Sequence, residues 1–153
     1  MQRRTFLKGG LATGAVAVAV GAGLLTPQTV LAAWPKAAFE AKGDAAMTAL
    51  FGTTSTTASS DIKIKAPDIA ENGAVVPVSV TTSIGSIESI TLMASSNPSP
   101  LAASFNLGAN AEGFVSTRIK VRKTGKVSAI VKSGGKMFSA SKDVKVTIGG
   151  CGG

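Results

Sequence analysis

The sequence predicts a mainly β chain: an immunoglobulin-like antiparallel β-sandwich with an N-terminal helix before it and a flexible Gly-rich C-terminal arm after it. Three observations carry that prediction. Apolar residues alternate with period two in about seven short runs between residues 61 and 148, turn signals separate the runs, and helical spacing is confined to residues 35–51. Short alternating runs divided by Gly, Asn and Pro are the pattern of half-buried strands, because successive side chains on a strand point to opposite faces. A barrel is the main alternative.

Residues 1–32 stand apart from this fold. Arg3-Arg4 followed by Phe6-Leu7-Lys8 matches the twin-arginine pattern, and residues 9–25 are a weakly apolar, uncharged run rich in glycine and alanine. Seventeen mostly small residues are marginal for a hydrocarbon core that needs about 20 strongly apolar ones, so this is a signal peptide and not an anchor. Val30-Leu31-Ala32 supplies small residues for cleavage after Ala32. The expected location is the periplasm, with no stable membrane anchor after cleavage.

Residues 33–60 are expected to hold one helix, residues 35–51, and a linker. Phe39, Met47, Leu50 and Phe51 fall roughly on one side, Gly52 is the stop, and Gly43 interrupts the pattern. This stripe docks either on the rest of the domain or on a second chain. Residues 53–60 are polar, lack periodicity and read as a linker.

Residues 61–148 are expected to form the sandwich. Its strands are marked by Ile62 and Ile64, by Val76, Val78 and Val80, by Ile90 and Leu92, and by Leu101, Ala103, Phe105 and Leu107. Three more follow at Val115, Thr117, Ile119 and Val121, at Val127, Ala129 and Val131, and at Val144, Val146 and Ile148. Turns fall at Glu71-Asn72-Gly73, Ser96-Asn97-Pro98-Ser99-Pro100, Lys123-Thr124-Gly125-Lys126 and Ser133-Gly134-Gly135.

Composition narrows the chemistry. The chain has no histidine, no tyrosine, one cysteine and eight carboxylates. A histidine-based triad, a zinc site built on His or several Cys, and an internal disulfide are excluded; no cofactor and no metal site are expected. The formal charge of +8 could suggest nucleic acid, but removing Arg3, Arg4 and Lys8 lowers it to +5 in a compartment where nucleic acid is no natural partner.

The single cysteine therefore needs its own explanation. After the last strand the chain reads Gly149-Gly150-Cys151-Gly152-Gly153. Glycine loses more backbone entropy on ordering than any other residue, so residues 149–153 form a mobile arm with a reach of roughly 17 Å. Without β-carbons beside the thiol, the arm is narrow enough to enter a tight cleft in another protein. No basic neighbour within the tail activates Cys151, so a partner must.

These residues resemble the SoxY family of sulfur-carrier subunits from bacterial sulfur oxidation. The resemblance rests on the Gly149-Gly150-Cys151-Gly152-Gly153 tail, the Val144-Lys145-Val146-Thr147-Ile148 strand before it and the twin-arginine leader. It extends to Ala66-Pro67-Asp68-Ile69-Ala70-Glu71-Asn72-Gly73, Val76-Pro77-Val78, Asn97-Pro98-Ser99-Pro100-Leu101 and Ser116-Thr117-Arg118-Ile119-Lys120.

The resemblance implies that Cys151 bears the substrate covalently while other enzymes act on it, and that the chain is not itself an enzyme. It implies a heterodimer with SoxZ and transient work with SoxAX, which joins thiosulfate oxidatively to the cysteine. SoxB, a manganese hydrolase, then releases sulfate, and in many organisms SoxCD oxidises the remaining sulfur. The absence of histidine agrees with a passive role.

Arg118, Lys120, Arg122, Lys123 and Lys126 form a basic run, read as three charges on one strand face and two in the following turn. It is either a solvated edge or a steering surface for acidic partners or anionic sulfur species. Two other readings of the chain stand beside the carrier: an exported structural sandwich module that dimerises through Cys151, and a ubiquitin-like carrier with a terminal thiocarboxylate, which the leader disfavours.

Overall fold

Two β-sheets face each other across a core made largely of valine. In the computed structural model, residues 34–147 are described. The chain divides into two compact units, Met1–Trp34 and Pro35–Gly153, and the architecture here is that of the second. The predicted signal residues Arg3 and Arg4, and the predicted arm residues Gly149, Gly150, Cys151, Gly152 and Gly153, lie outside the described residues.

Among the described residues nine strands follow in order: β1 Thr57–Ala58, β2 Ile62–Lys65, β3 Ile69–Ala70, β4 Val76–Thr82, β5 Ile87–Ala94, β6 Leu101–Asn106, β7 Phe114–Ile119, β8 Gly125–Ser133 and β9 Lys136–Val146. The larger sheet runs β1-β9-β8-β5-β6, with β3 also paired to β9; the smaller runs β2-β4-β7. The expected mainly β sandwich is present. It is mixed and not wholly antiparallel, because the two-residue strands β1 and β3 both pair parallel with β9.

Alternation explains the core. On β4 the side chains of Val76, Val78, Val80 and Thr82 are buried while Pro77 and Thr81 face out. Val76, Val78 and Val80 meet Ile90 and Leu92 of β5, Val127, Ala129 and Val131 of β8, and Val144 of β9 in one cluster. Each fully buried aliphatic side chain contributes about 1.5–3 kcal/mol relative to exposure, so this cluster holds the sheets together without a disulfide. Pro77 sits where β2 has already stopped, since Lys65 pairs with Ser79; a residue lacking an N–H is tolerated at such a place.

The expected single helix over residues 35–51 is two: α1 Lys36–Glu40 and α2 Ala45–Phe51. Ala41 turns extended after α1, and Gly43 at φ +54° takes a left-handed conformation that costs glycine little. The predicted stop holds, with Gly52 at φ +76° capping α2. The apolar stripe folds back on its own domain. Ala38 and Ala46 are buried with Leu101 of β6, and Phe39, Leu50 and Met93 pack against them. The predicted linker, residues 53–60, contains β1, whose entry is tied by a 2.9 Å hydroxyl bond between Thr56 and Ser139.

Candidate functional site: the end of β9

β9 delivers the segment that carries Cys151, and the described residues end with its base at Thr147. The last turns of this strand are gripped from both sides. On one side β3 lies parallel to it, with Ile69 opposite Lys145 and Ala70 opposite Val146. The Lys145 amide donates to the Asp68 carbonyl at 2.9 Å and the Thr147 amide to the Ala70 carbonyl at 3.2 Å. Lys142 reinforces the same segment: its ammonium donates to the Ala66 carbonyl at 2.7 Å and pairs with the Asp68 carboxylate at 3.0 Å. Asp68 is largely exposed, so the ion pair contributes little and the backbone bonds matter more.

On the other side, beyond the β8 pairing that ends at Val144, Thr124 takes over. Its hydroxyl accepts from the Val146 amide at 3.0 Å and donates to the Val146 carbonyl at 3.5 Å. A threonine in the connection thus replaces the next residue of a strand.

The connection from β7 to β8 is itself held in place. Val121 is fully buried, and its amide donates to the Gly73 carbonyl at 2.8 Å. Asn97 spans it from the β5–β6 loop: its side-chain amide donates to the Lys120 carbonyl at 2.7 Å, and its side-chain oxygen accepts from the Arg122 amide at 2.8 Å. Asn97 therefore acts as a one-residue strand that keeps Val121 inward and Lys120 and Arg122 outward. Ser95 adds a bond from the Lys126 amide at 3.0 Å.

Two stretches that carry the sequence resemblance, residues 66–73 and 97–101, thus meet at one end of the sandwich, around the base of β9. What sequence reasoning missed is this meeting. Asn97 and Gly73 were visible as turn residues, but nothing in a turn pattern says which distant carbonyl it serves. The basic run is also arranged differently from expectation. β7 stops at Ile119, so Arg118 alone lies on that strand; Lys120, Arg122 and Lys123 occupy the connection, and Lys126 lies in β8.

Elsewhere the molecule offers less chemistry. A cavity of about 370 Å³ between the α1–α2 turn and the outer face of the large sheet is lined by Met47, Met93 and Ile130 and by hydroxyl side chains including Ser128 and Ser139. At the opposite end, Glu88 accepts from the Gly135 amide and pairs with Lys132 at 2.8 Å. The Lys132 bond first, and the Gly135 amide second, hold its carboxyl below the usual glutamate range. No group of three or more His, Cys, Asp or Glu able to hold a metal occurs among the described residues.

The family model "Sulfur oxidation protein SoxY" matches residues 47–151, a span that takes in the whole sandwich and reaches Cys151. The solved structure of the sulfur carrier protein SoxY from Chlorobium limicola f thiosulfatophilum is similar at 44% sequence identity and a TM-score of 0.62, covering 69% of this chain and 96% of that one. Comparison with the curated proteins gives no match.

Proposed function

The chain belongs to the SoxY family of sulfur carriers, and from that premise we propose that Cys151 is the atom-bearing site, loaded and unloaded by separate enzymes. The observation that carries this reading is the sequence Gly149-Gly150-Cys151-Gly152-Gly153 directly after a strand gripped on both sides up to Thr147. Glycines on either side of a thiol carry no β-carbon that would crowd it.

Loading joins the outer sulfur of thiosulfate to the Cys151 sulfur. One S–S bond forms, the thiol proton leaves, and two electrons pass to an acceptor, the role of SoxAX. Hydrolysis by SoxB then adds water across the sulfur–sulfonate bond, releasing sulfate and leaving a persulfide on the cysteine; in organisms that have it, SoxCD oxidises that sulfur. This chain contributes the attachment point and its presentation. A SoxZ partner, export by the twin-arginine route through Arg3 and Arg4, and residence in the periplasm belong to the same proposal.

The test is reconstituted thiosulfate oxidation combined with mass spectrometry of the native protein. Thiosulfate-derived sulfur additions on Cys151, and loss of turnover in Cys151→Ser with the fold retained, are expected. A terminal thiocarboxylate, or only a stable disulfide between two copies, would replace the carrier reading.

A further inference from the structure

The basic run is not absorbed by the carrier chemistry, and its position says what it is for. β9 runs toward the end of the sandwich where the β7–β8 connection, the β5–β6 loop and residues 71–75 gather. Lys120, Arg122, Lys123 and Lys126 project around that end, with Arg118 just behind and Lys145 beside the base of β9; all are exposed. None of the six forms an ion pair among the described residues, whereas Lys36, Lys132 and Lys142 each do. Three exposed carboxylates share the neighbourhood, Asp68 paired with Lys142, Glu71 after β3 and Asp143 opposite Lys126, and the six cations still outnumber them.

A solvated edge would not need a fixed backbone, yet this one is fixed. The carbonyl of Lys120 and the amides of Val121, Arg122 and Lys126 are each bonded to another segment, so the charges are carried on a preorganised frame. Preorganisation lowers the ordering cost of association, and charges at the rim of a contact set its encounter rate and salt dependence.

We propose that this basic end is a docking ring that seats on an acidic protein surface around the mouth of the cleft that receives residues 149–153. The inference rests on the carrier reading of Cys151 and specifies how a partner enzyme recognises the carrier. The basic residues flank the base of β9 on its β7–β8 side, so an acidic rim that pairs with them would present Cys151 to the cleft in one orientation.

The experiment measures the initial rate of Cys151 loading by the host's SoxAX-type enzyme, with thiosulfate saturating and the carrier varied, at low and high salt. The triple variant Lys120→Glu, Arg122→Glu, Lys123→Glu is compared with the neutral set Lys120→Gln, Arg122→Gln, Lys123→Gln. The control is Lys136→Glu, at the exposed tip of the β8–β9 hairpin on the far end. The expected result at low salt is a KM for carrier raised about tenfold in the glutamate variant and less in the glutamine variant, with kcat and small-reagent labelling of Cys151 unchanged. Wild-type KM should rise with salt toward the variant's value. Equal KM in wild type and the glutamate variant, an equal shift in Lys136→Glu, a fall in kcat alone, or a shift in the KM for thiosulfate would each overturn the docking ring. A wild-type chain that is never loaded on Cys151 would overturn the carrier reading and the ring with it.

Discussion

At Gly73 a single hydrogen decides whether the end of the sandwich closes. A β-carbon there would stand on the Val121 carbonyl oxygen and 2.8 Å from a Val146 methyl, while φ lies outside the left-handed region, so space and not conformation requires the glycine. The Gly73→Ala variant must push the β7–β8 connection away from the base of β9. It is expected to lose about 1–3 kcal/mol of unfolding free energy in urea melts. Faster amide exchange should appear at Val121 and Val146, with the β8–β9 hairpin tip unaffected. Unchanged stability would mean that the two segments are less tightly joined than their hydrogen bonds indicate. Asn72-Gly73 is legible in the sequence as a turn, and Asn97 likewise, because local composition reports local backbone shape. Their actual tasks lie about 50 and 25 residues away along the chain, at Val121 and at Lys120 and Arg122, and no periodic pattern encodes such a distance.

Among the elements, those with four or more alternating residues were legible and the shorter ones were not. β4 and β8 announce themselves through Val76, Val78, Val80 and Val127, Ala129, Val131, whereas a two-residue strand such as β1 or β3 has no period to detect. β9 was recognised only in its second half. Its first half, Met137 to Ser141, is half-buried or exposed at every position, so alternation fades where Ser139 and Ser141 face the cavity under the helices. The helical stripe was legible as apolar, but its partner was not, since the same residues suit a second chain or the chain's own sheet. Leu50 packs on its own domain, next to Ala46, Leu101 and the rest of that small cluster. Leu50→Asp is therefore expected to lower unfolding free energy by about 1–3 kcal/mol through loss of that contact and introduction of a charge. Circular dichroism should show loss of helix signal before sheet signal on heating. Intact stability together with lost co-purification of a partner would instead assign the stripe to an interface.

For the whole molecule, the central physical point is that one end of the sandwich holds β9 from both sides up to Thr147. Cys151 stands out in the sequence as the single cysteine, set among glycines, whereas the frame at the base of β9 required the fold to bring residues 66–73, 97, 121 and 124 together. β9 is tied to β3 and to Thr124 up to Val146 and Thr147. On the proposed carrier reading, Cys151 lies four peptide steps after Thr147, a length of about 14 Å when fully extended. Replacing Gly150 and Gly152 by valine keeps that length but adds β-branched side chains on both sides of the thiol, which restrict the backbone and widen the segment. Loading by a partner enzyme is then expected to fall by at least about tenfold, the scale on which small misplacements of a reacting atom are felt. Labelling of Cys151 by a small thiol reagent, which needs no cleft, should change little. Parallel loss in both assays would show that the substitutions alter the thiol itself, and loss in neither would show that the cleft accepts a broad arm; either result counts against access through a narrow passage as the reason for the glycines.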